Sequence, residues 1–180
     1  MIFVAEMGDK SQLMALTFAT RYPPLTVLAG IFVATLAVHA VSVLIGHSLA
    51  EVVPLNVITV ISALSFFAFA VWTLRGDRLD ESEEAKAARV KGSAVIAVGV
   101  AFFLAELGDK TMLATVALST RDEAVGTWLG STVGMVLADA LAIIVGRILG
   151  KRLPEKAIRY GSAATFAIFG AILLWSTLVT

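Results

Sequence analysis

Four carboxylates stand where carboxylates are costly. Glu6 and Asp9 belong to Glu6-Met-Gly-Asp-Lys-Ser11, and Glu106 and Asp109 to Glu106-Leu-Gly-Asp-Lys-Thr111, each motif set in an otherwise apolar stretch. A charge near mid-bilayer costs at least ~2.5 kcal/mol on insertion scales, so such residues mark ion or proton sites with partners inside the bundle. On a helix, a spacing of three places both carboxylates of a motif on one face. Clustered carboxylate oxygens, with hydroxyl or amide oxygens from Ser11, Gln12 and Thr111, match hard divalent cations such as Ca²⁺ or Mn²⁺. The lack of cysteine and scarcity of histidine argue against zinc and copper. With Lys10 and Lys110 the four carboxylates sum to −2, which one divalent ion neutralises and protons can neutralise in its place. Crowded carboxylates repel one another at low dielectric, so protons compete with a cation for the same oxygens, as an antiporter requires.

The remaining polar residues within apolar segments admit more than one role. Lys10 and Lys110 follow Glu6 and Glu106 by four, the spacing of an intrahelical ion pair, and read either as structural counter-ions or as gating elements that trade partners as the cation enters. His39 and Asp139 occupy equivalent positions of the two halves. His39 is a candidate proton relay or a hydrogen-bonded interior histidine, and Asp139 a candidate to complete the cation shell or to pass the proton onward. His47, beside Glu51 at a helix end, reads as interfacial. Gly8 and Gly108 keep the motifs slim, letting a neighbouring helix approach or the helix loosen and offer backbone carbonyls.

The elements that must hold these residues are membrane helices. Of 180 residues, 58% are hydrophobic and 16% charged, far from a soluble domain. Apolar runs cover Ile2–Thr20, Leu25–Ala50, Val57–Leu74, Ala94–Thr120, Val125–Leu149 and Ile158–Val179. Each is near or above the ~20 residues a helical span needs, and none alternates as barrel strands do. The expectation is an all-α integral membrane fold of six transmembrane helices. Lys+Arg and Asp+Glu both count 14, leaving no basic domain for nucleic acid. Small residues at helical spacing, Gly30 with Ala34 and Gly130 with Ser131, Gly134 and Ala138, suggest close crossings. Trp72, Trp128 and Trp175 are assigned to interfacial belts.

Sliding the sequence by 100 positions aligns the motifs without a gap. Thr20-Arg21 then meets Thr120-Arg121, Gly30 meets Gly130, Gly46 meets Gly146, Pro54 meets Pro154, Ser62-Ala63 meets Ser162-Ala163, and Phe66 and Phe69 meet Phe166 and Phe169. Each half holds three spans, an odd number, so the two repeats must be inverted in the membrane. The expected organisation is repeat one over residues 1–74, a charged cytoplasmic linker over 75–93, and repeat two over 94–180. Basic residues support this. Arg21, the linker, and Arg147, Lys151, Arg152, Lys156 and Arg159 share one face, while the other offers Arg121. Both termini are therefore expected outside the cytoplasm, in a multi-pass protein of the cell membrane. No removable signal peptide is seen. Glu6 lies close to Met1 whereas Glu106 lies deep in its span, so roughly eight to ten residues of span one are expected to be missing upstream.

The paired Glu-x-Gly-Asp-Lys-[Ser/Thr] motifs, one per three-span half, resemble the signature of the GDT-like family of membrane divalent-cation/proton exchangers, which includes bacterial manganese exporters and Golgi manganese/calcium transporters. The resemblance covers essentially the whole chain. It implies export of Mn²⁺, or of Ca²⁺, from the cytoplasm in exchange for protons, with Glu6, Asp9, Glu106 and Asp109 as the binding residues. The metal ion and protons are then substrates, and no cofactor is expected. Met112 departs from the pattern, standing where the first motif has Gln12, which suggests one polar ligand fewer on that side. Alternatives are an exporter of amino acids or other small organic cations, a passive cation channel, or an intramembrane aspartyl protease. The protease fits worst, since duplicated motifs suit a symmetric ion site better than two distinct catalytic roles. A second copy of the chain is a candidate partner.

Overall fold

The computed structural model describes residues 1–75, 93–149 and 155–179, all of it helical or connecting, with no strand among these residues. Among the described residues eight helices follow in order: α1 (Ile2–Ala5), α2 (Lys10–Arg21), α3 (Pro24–Val52), α4 (Leu55–Arg75), α5 (Ala94–Glu106), α6 (Lys110–Ser119), α7 (Ala124–Leu149) and α8 (Glu155–Val179). Four of them, α3, α4, α7 and α8, hold segments long and apolar enough to cross a membrane, and α5 is a shorter apolar helix. The charged linker expected over 75–93 lies, from 76 to 92, outside the described residues.

The expected continuous helices over Ile2–Thr20 and Ala94–Thr120 are each broken in two at the motif. The cause is local. Gly8 and Gly108 adopt φ of 77° and 78°, a left-handed conformation that only glycine takes without penalty and that ends a right-handed helix. The long helices start and stop for ordinary reasons. Pro24 sits in the first turn of α3, where its missing N–H costs nothing, and α3 ends just before Pro54. The Glu123 carboxylate accepts from the amides of Val125 and Gly126 at the start of α7.

Contacts exchange between the halves. Helix α3 packs on α5 and α6 as α7 packs on α1 and α2, while α3 packs on α7 and α4 on α8, each with its own counterpart. Residues 100 apart meet directly in the α4–α8 seam, where the Phe66 and Phe166 rings stack at 6.2 Å and Phe69 and Phe169 close around them. Gly30 and Gly134 are real close crossings. A Cβ on Gly30 would lie 2.7 Å from Val98 Cβ of α5, and one on Gly134 would lie 3.0 Å from the backbone nitrogen of Phe3 in α1. At Gly130 nothing lies within 4 Å, so that glycine marks no crossing. Trp128 departs from a purely interfacial role, since its indole N–H donates to the Leu36 carbonyl at 2.9 Å and ties α7 to α3.

The distribution of polarity is inside out. Large apolar residues such as Leu44, Leu64, Ile144 and Ile168 face outward, whereas Glu6, Asp9, Glu106, Asp109, Lys110, His39 and Asp139 are buried. That is the arrangement a lipid surround favours.

Candidate functional site

Each helix break puts one carboxylate at the end of the first half-helix and the other at the start of the second. Glu6 follows α1 and Asp9 precedes α2, while Glu106 ends α5 and Asp109 precedes α6. The one-face argument for a continuous helix therefore fails, because Gly8 and Gly108 turn the chain between the two acids. Neither Asp9 nor Asp109 caps its own helix with its side chain. The positive ends of α2 and α6 are thus presented beside carboxylates that are engaged elsewhere.

The lysines pair across the halves, with the aspartates. Lys110 Nζ contacts Asp9 Oδ1, and Lys10 Nζ lies 3.7 Å from Asp109 Oδ1. Beside the i,i+4 spacing to Glu6 and Glu106, these crossed pairs arise because the break redirects the backbone within each motif. Both hydroxyls go to Glu6. The Ser11 hydroxyl donates to Oε2 at 2.8 Å and the Thr111 hydroxyl donates to Oε1. Glu106 Oε1 is buried and receives no hydrogen bond among the described residues.

Three carboxylates converge. Glu6, Asp9 and Glu106 each offer an oxygen, all within 4.8 Å of one another and all buried. Asp109, expected as a fourth ligand, is not among the three and is held by Lys10. Asp139 is fully buried, neither of its oxygens has a hydrogen-bond partner among the described residues, and negative charge on it is opposed by Glu6 and Glu106. A cluster of acids at low dielectric is stable only with compensating positive charge, which two lysines, protons or a cation can supply.

Gln12, a candidate additional ligand, bridges two backbone groups in this structure. Its Oε1 accepts from the Gly8 amide at 2.7 Å and its Nε2 donates to the Ala138 carbonyl at 2.9 Å, so both ends of the amide hold the break and tie it to α7 beside Asp139. In the second half Met112 Sδ accepts from the Gly108 amide at 3.2 Å. Met112 thus supplies, as Gln12 does in the first half, a side-chain acceptor for the glycine's backbone amide. Ser162 of α8 was not foreseen. Its hydroxyl lies 2.8 Å from the Val4 carbonyl, which also accepts from the Met7 amide at 3.2 Å, and 2.7 Å from the Met7 carbonyl at the helix break. The only sequence signal for it was its register with Ser62. His39 is buried with Nδ1 3.3 Å from the Thr132 hydroxyl, which itself donates to the Trp128 carbonyl. That favours the hydrogen-bonded interior histidine. His47 pairs with Glu51 at 3.9 Å on the exposed part of α3. An aspartyl-protease dyad needs two aspartates sharing a proton, whereas here the two motif aspartates, Asp9 and Asp109, each face a lysine.

Comparison with known proteins agrees with this geometry. The family described as the divalent cation/proton antiporter GDT1 matches residues 1–81 and 94–180. A Vibrio cholerae protein named "Putative manganese exporter" is 35% identical over 170 residues, covering 93% of this chain and 83% of its own length. GDT1-like protein sll0615 of Synechocystis is 28% identical, with 98% and 94% covered. Protein PAM71 of the Arabidopsis thaliana chloroplast is 31% identical, with 96% of this chain and 54% of PAM71 covered. No solved structure matches. A duplicated motif at two helix breaks, a buried acidic cluster drawn from both halves, and these matches together place the chain in the GDT1 family of divalent cation/proton antiporters.

Proposed function

We propose that the chain exports Mn²⁺, with Ca²⁺ as the second substrate, from the cytoplasm in exchange for protons, and that Glu6, Asp9 and Glu106 hold the ion with Asp109 completing the site in part of the cycle. The observation that carries this reading is the meeting of three buried carboxylates from two halves within 4.8 Å. Oxygen donors of this kind suit both metals. Manganese is placed first because the Vibrio cholerae relative is named for its export. Each broken pair, α1–α2 and α5–α6, serves as one span, giving six spans in two inverted repeats, 1–74 and 94–180, joined by the linker 75–93. The excess of basic residues on one side puts that linker in the cytoplasm and both termini outside, in a multi-pass protein of the cell membrane. A second copy of the chain is a candidate partner in that membrane. Exchange follows from rocking of the repeats about the site: the ion displaces protons on one side and protons displace the ion on the other.

The test uses everted vesicles preloaded with protons and a pH-sensitive dye. Adding Mn²⁺ or Ca²⁺ should release protons, and Glu106→Gln or Asp9→Asn should abolish the signal. Folded wild-type protein that gives no metal-dependent proton movement would refute the reading and return weight to a channel or an organic-solute exporter.

A further inference from the structure

We propose that Lys110 is a tethered competitor of the transported cation and sets its valence: without the ion its ammonium occupies Asp9, and a cation joins the Glu6, Asp9 and Glu106 oxygens only by displacing it. This rests on the cation-site reading given above. Lys110 Nζ contacts Asp9 Oδ1, and Asp9 is one of the three converging carboxylates. The side chain is 2% exposed, so its charge sits inside the protein and depends on that partner. Lysine suits the role, being a compact, hydrated point charge on a flexible stem. It is also the first residue of α6, directly after the turn at Gly108 and Asp109, so its release is coupled to the second half's own break. The counterpart is unlike it. Lys10 lies 3.7 Å from Asp109 with its side chain 16% exposed, and Asp109 is outside the three-carboxylate group.

Valence selection follows from charge. A monovalent ion that displaces an ammonium from Asp9 gains nothing in Coulomb attraction, whereas a divalent ion gains one charge in a low-dielectric cluster. Na⁺ and K⁺ are refused by this means and not by pore size.

The test measures Mn²⁺ binding to the purified chain in lipid nanodiscs from the loss of the free-ion electron paramagnetic resonance signal, with Na⁺ as competitor. Lys110→Gln should bind Mn²⁺ at least about tenfold tighter, the low end for a close charge pair at a desolvated site, and Na⁺ should now compete. Lys110→Arg keeps the charge and grips the carboxylate in a fork, so it should weaken Mn²⁺ binding. Folded Lys110→Gln with unchanged or weaker binding overturns the proposal. If Lys110→Gln fails to fold, Lys110→Arg decides, and unchanged or tighter binding there overturns it. Wild-type binding lost in Asp9→Asn but insensitive to both Lys110 variants leaves the cation site standing and removes the competitor alone. No saturable binding of Mn²⁺ or Ca²⁺ by the wild type overturns both.

Discussion

Gly108→Ala isolates the backbone term that shapes the site. Gly108 has φ of 78°, and a Cβ built there meets no atom within 4 Å. Crowding therefore contributes nothing, and the cost is that of holding an L-residue in the left-handed region, about 1–2 kcal/mol. Gly130 is the matched control, because its Cβ would also meet nothing within 4 Å, yet it lies inside α7. There alanine gains about 1 kcal/mol over glycine in helix propensity. The same methyl in the same open space should thus separate the two variants by about 2–3 kcal/mol. At about 2–4 °C per kcal/mol for a chain of this size, their melting temperatures in one detergent should differ by about 4–12 °C. Asparagine tolerates the left-handed region, so Gly108→Asn should recover part of the loss. Metal-evoked proton release should fall in Gly108→Ala and persist in Gly130→Ala, because relaxing the turn moves Glu106 relative to Asp109. Melting temperatures for Gly108→Ala and Gly130→Ala within ~1 °C, or Gly108→Asn no better than Gly108→Ala, would refute the claim that a left-handed glycine builds the site.

Three further outcomes are expected. Gln12→Met copies the second half's Met112, so it should keep an acceptor for the Gly8 amide while losing the bond to the Ala138 carbonyl, at a cost of about 0.5–1.5 kcal/mol in thermal unfolding. Asp139→Asn removes a buried acid, whose ionised form Glu6 and Glu106 repel, without removing a hydrogen bond among the described residues. Its melting temperature should equal or exceed the wild type's while exchange slows about tenfold or more, as loss of one close buried charge allows, and a clear drop in melting temperature would mark Asp139 as a structural anchor. His39→Leu gives up the hydrogen bond to Thr132, worth about 1 kcal/mol, and should retain metal-evoked proton release; loss of that release in folded protein would restore the relay role.

Much of this was legible before folding. Apolar runs of bilayer length are a local property, and α3, α4, α7 and α8 fall within a few residues of the runs read from hydrophobicity alone. The register of 100 named the pairs Glu6 with Glu106, Gly8 with Gly108 and Phe66 with Phe166, and the last pair is in direct contact. A carboxylate in an apolar segment is conspicuous wherever it later points. Gly30 and Gly134 as close crossings were readable because small residues at helical spacing have few other uses there.

The sequence by itself determined the class of fold, the two matching halves and the candidate ligands, since composition, hydrophobic run length and motif spacing are all properties of neighbours along the chain. It did not determine which groups meet. The break between Glu6 and Asp9 needed the left-handed φ of Gly8, a conformation glycine permits but does not impose. The crossed pairs Lys110 with Asp9 and Lys10 with Asp109, the Thr111 hydroxyl on Glu6, and Ser162 beneath the Val4 and Met7 carbonyls all join residues from different halves. Only tertiary packing decided them, because a buried charge takes the partner that the opposing helix brings within reach, and that distance is not written in the spacing of either motif.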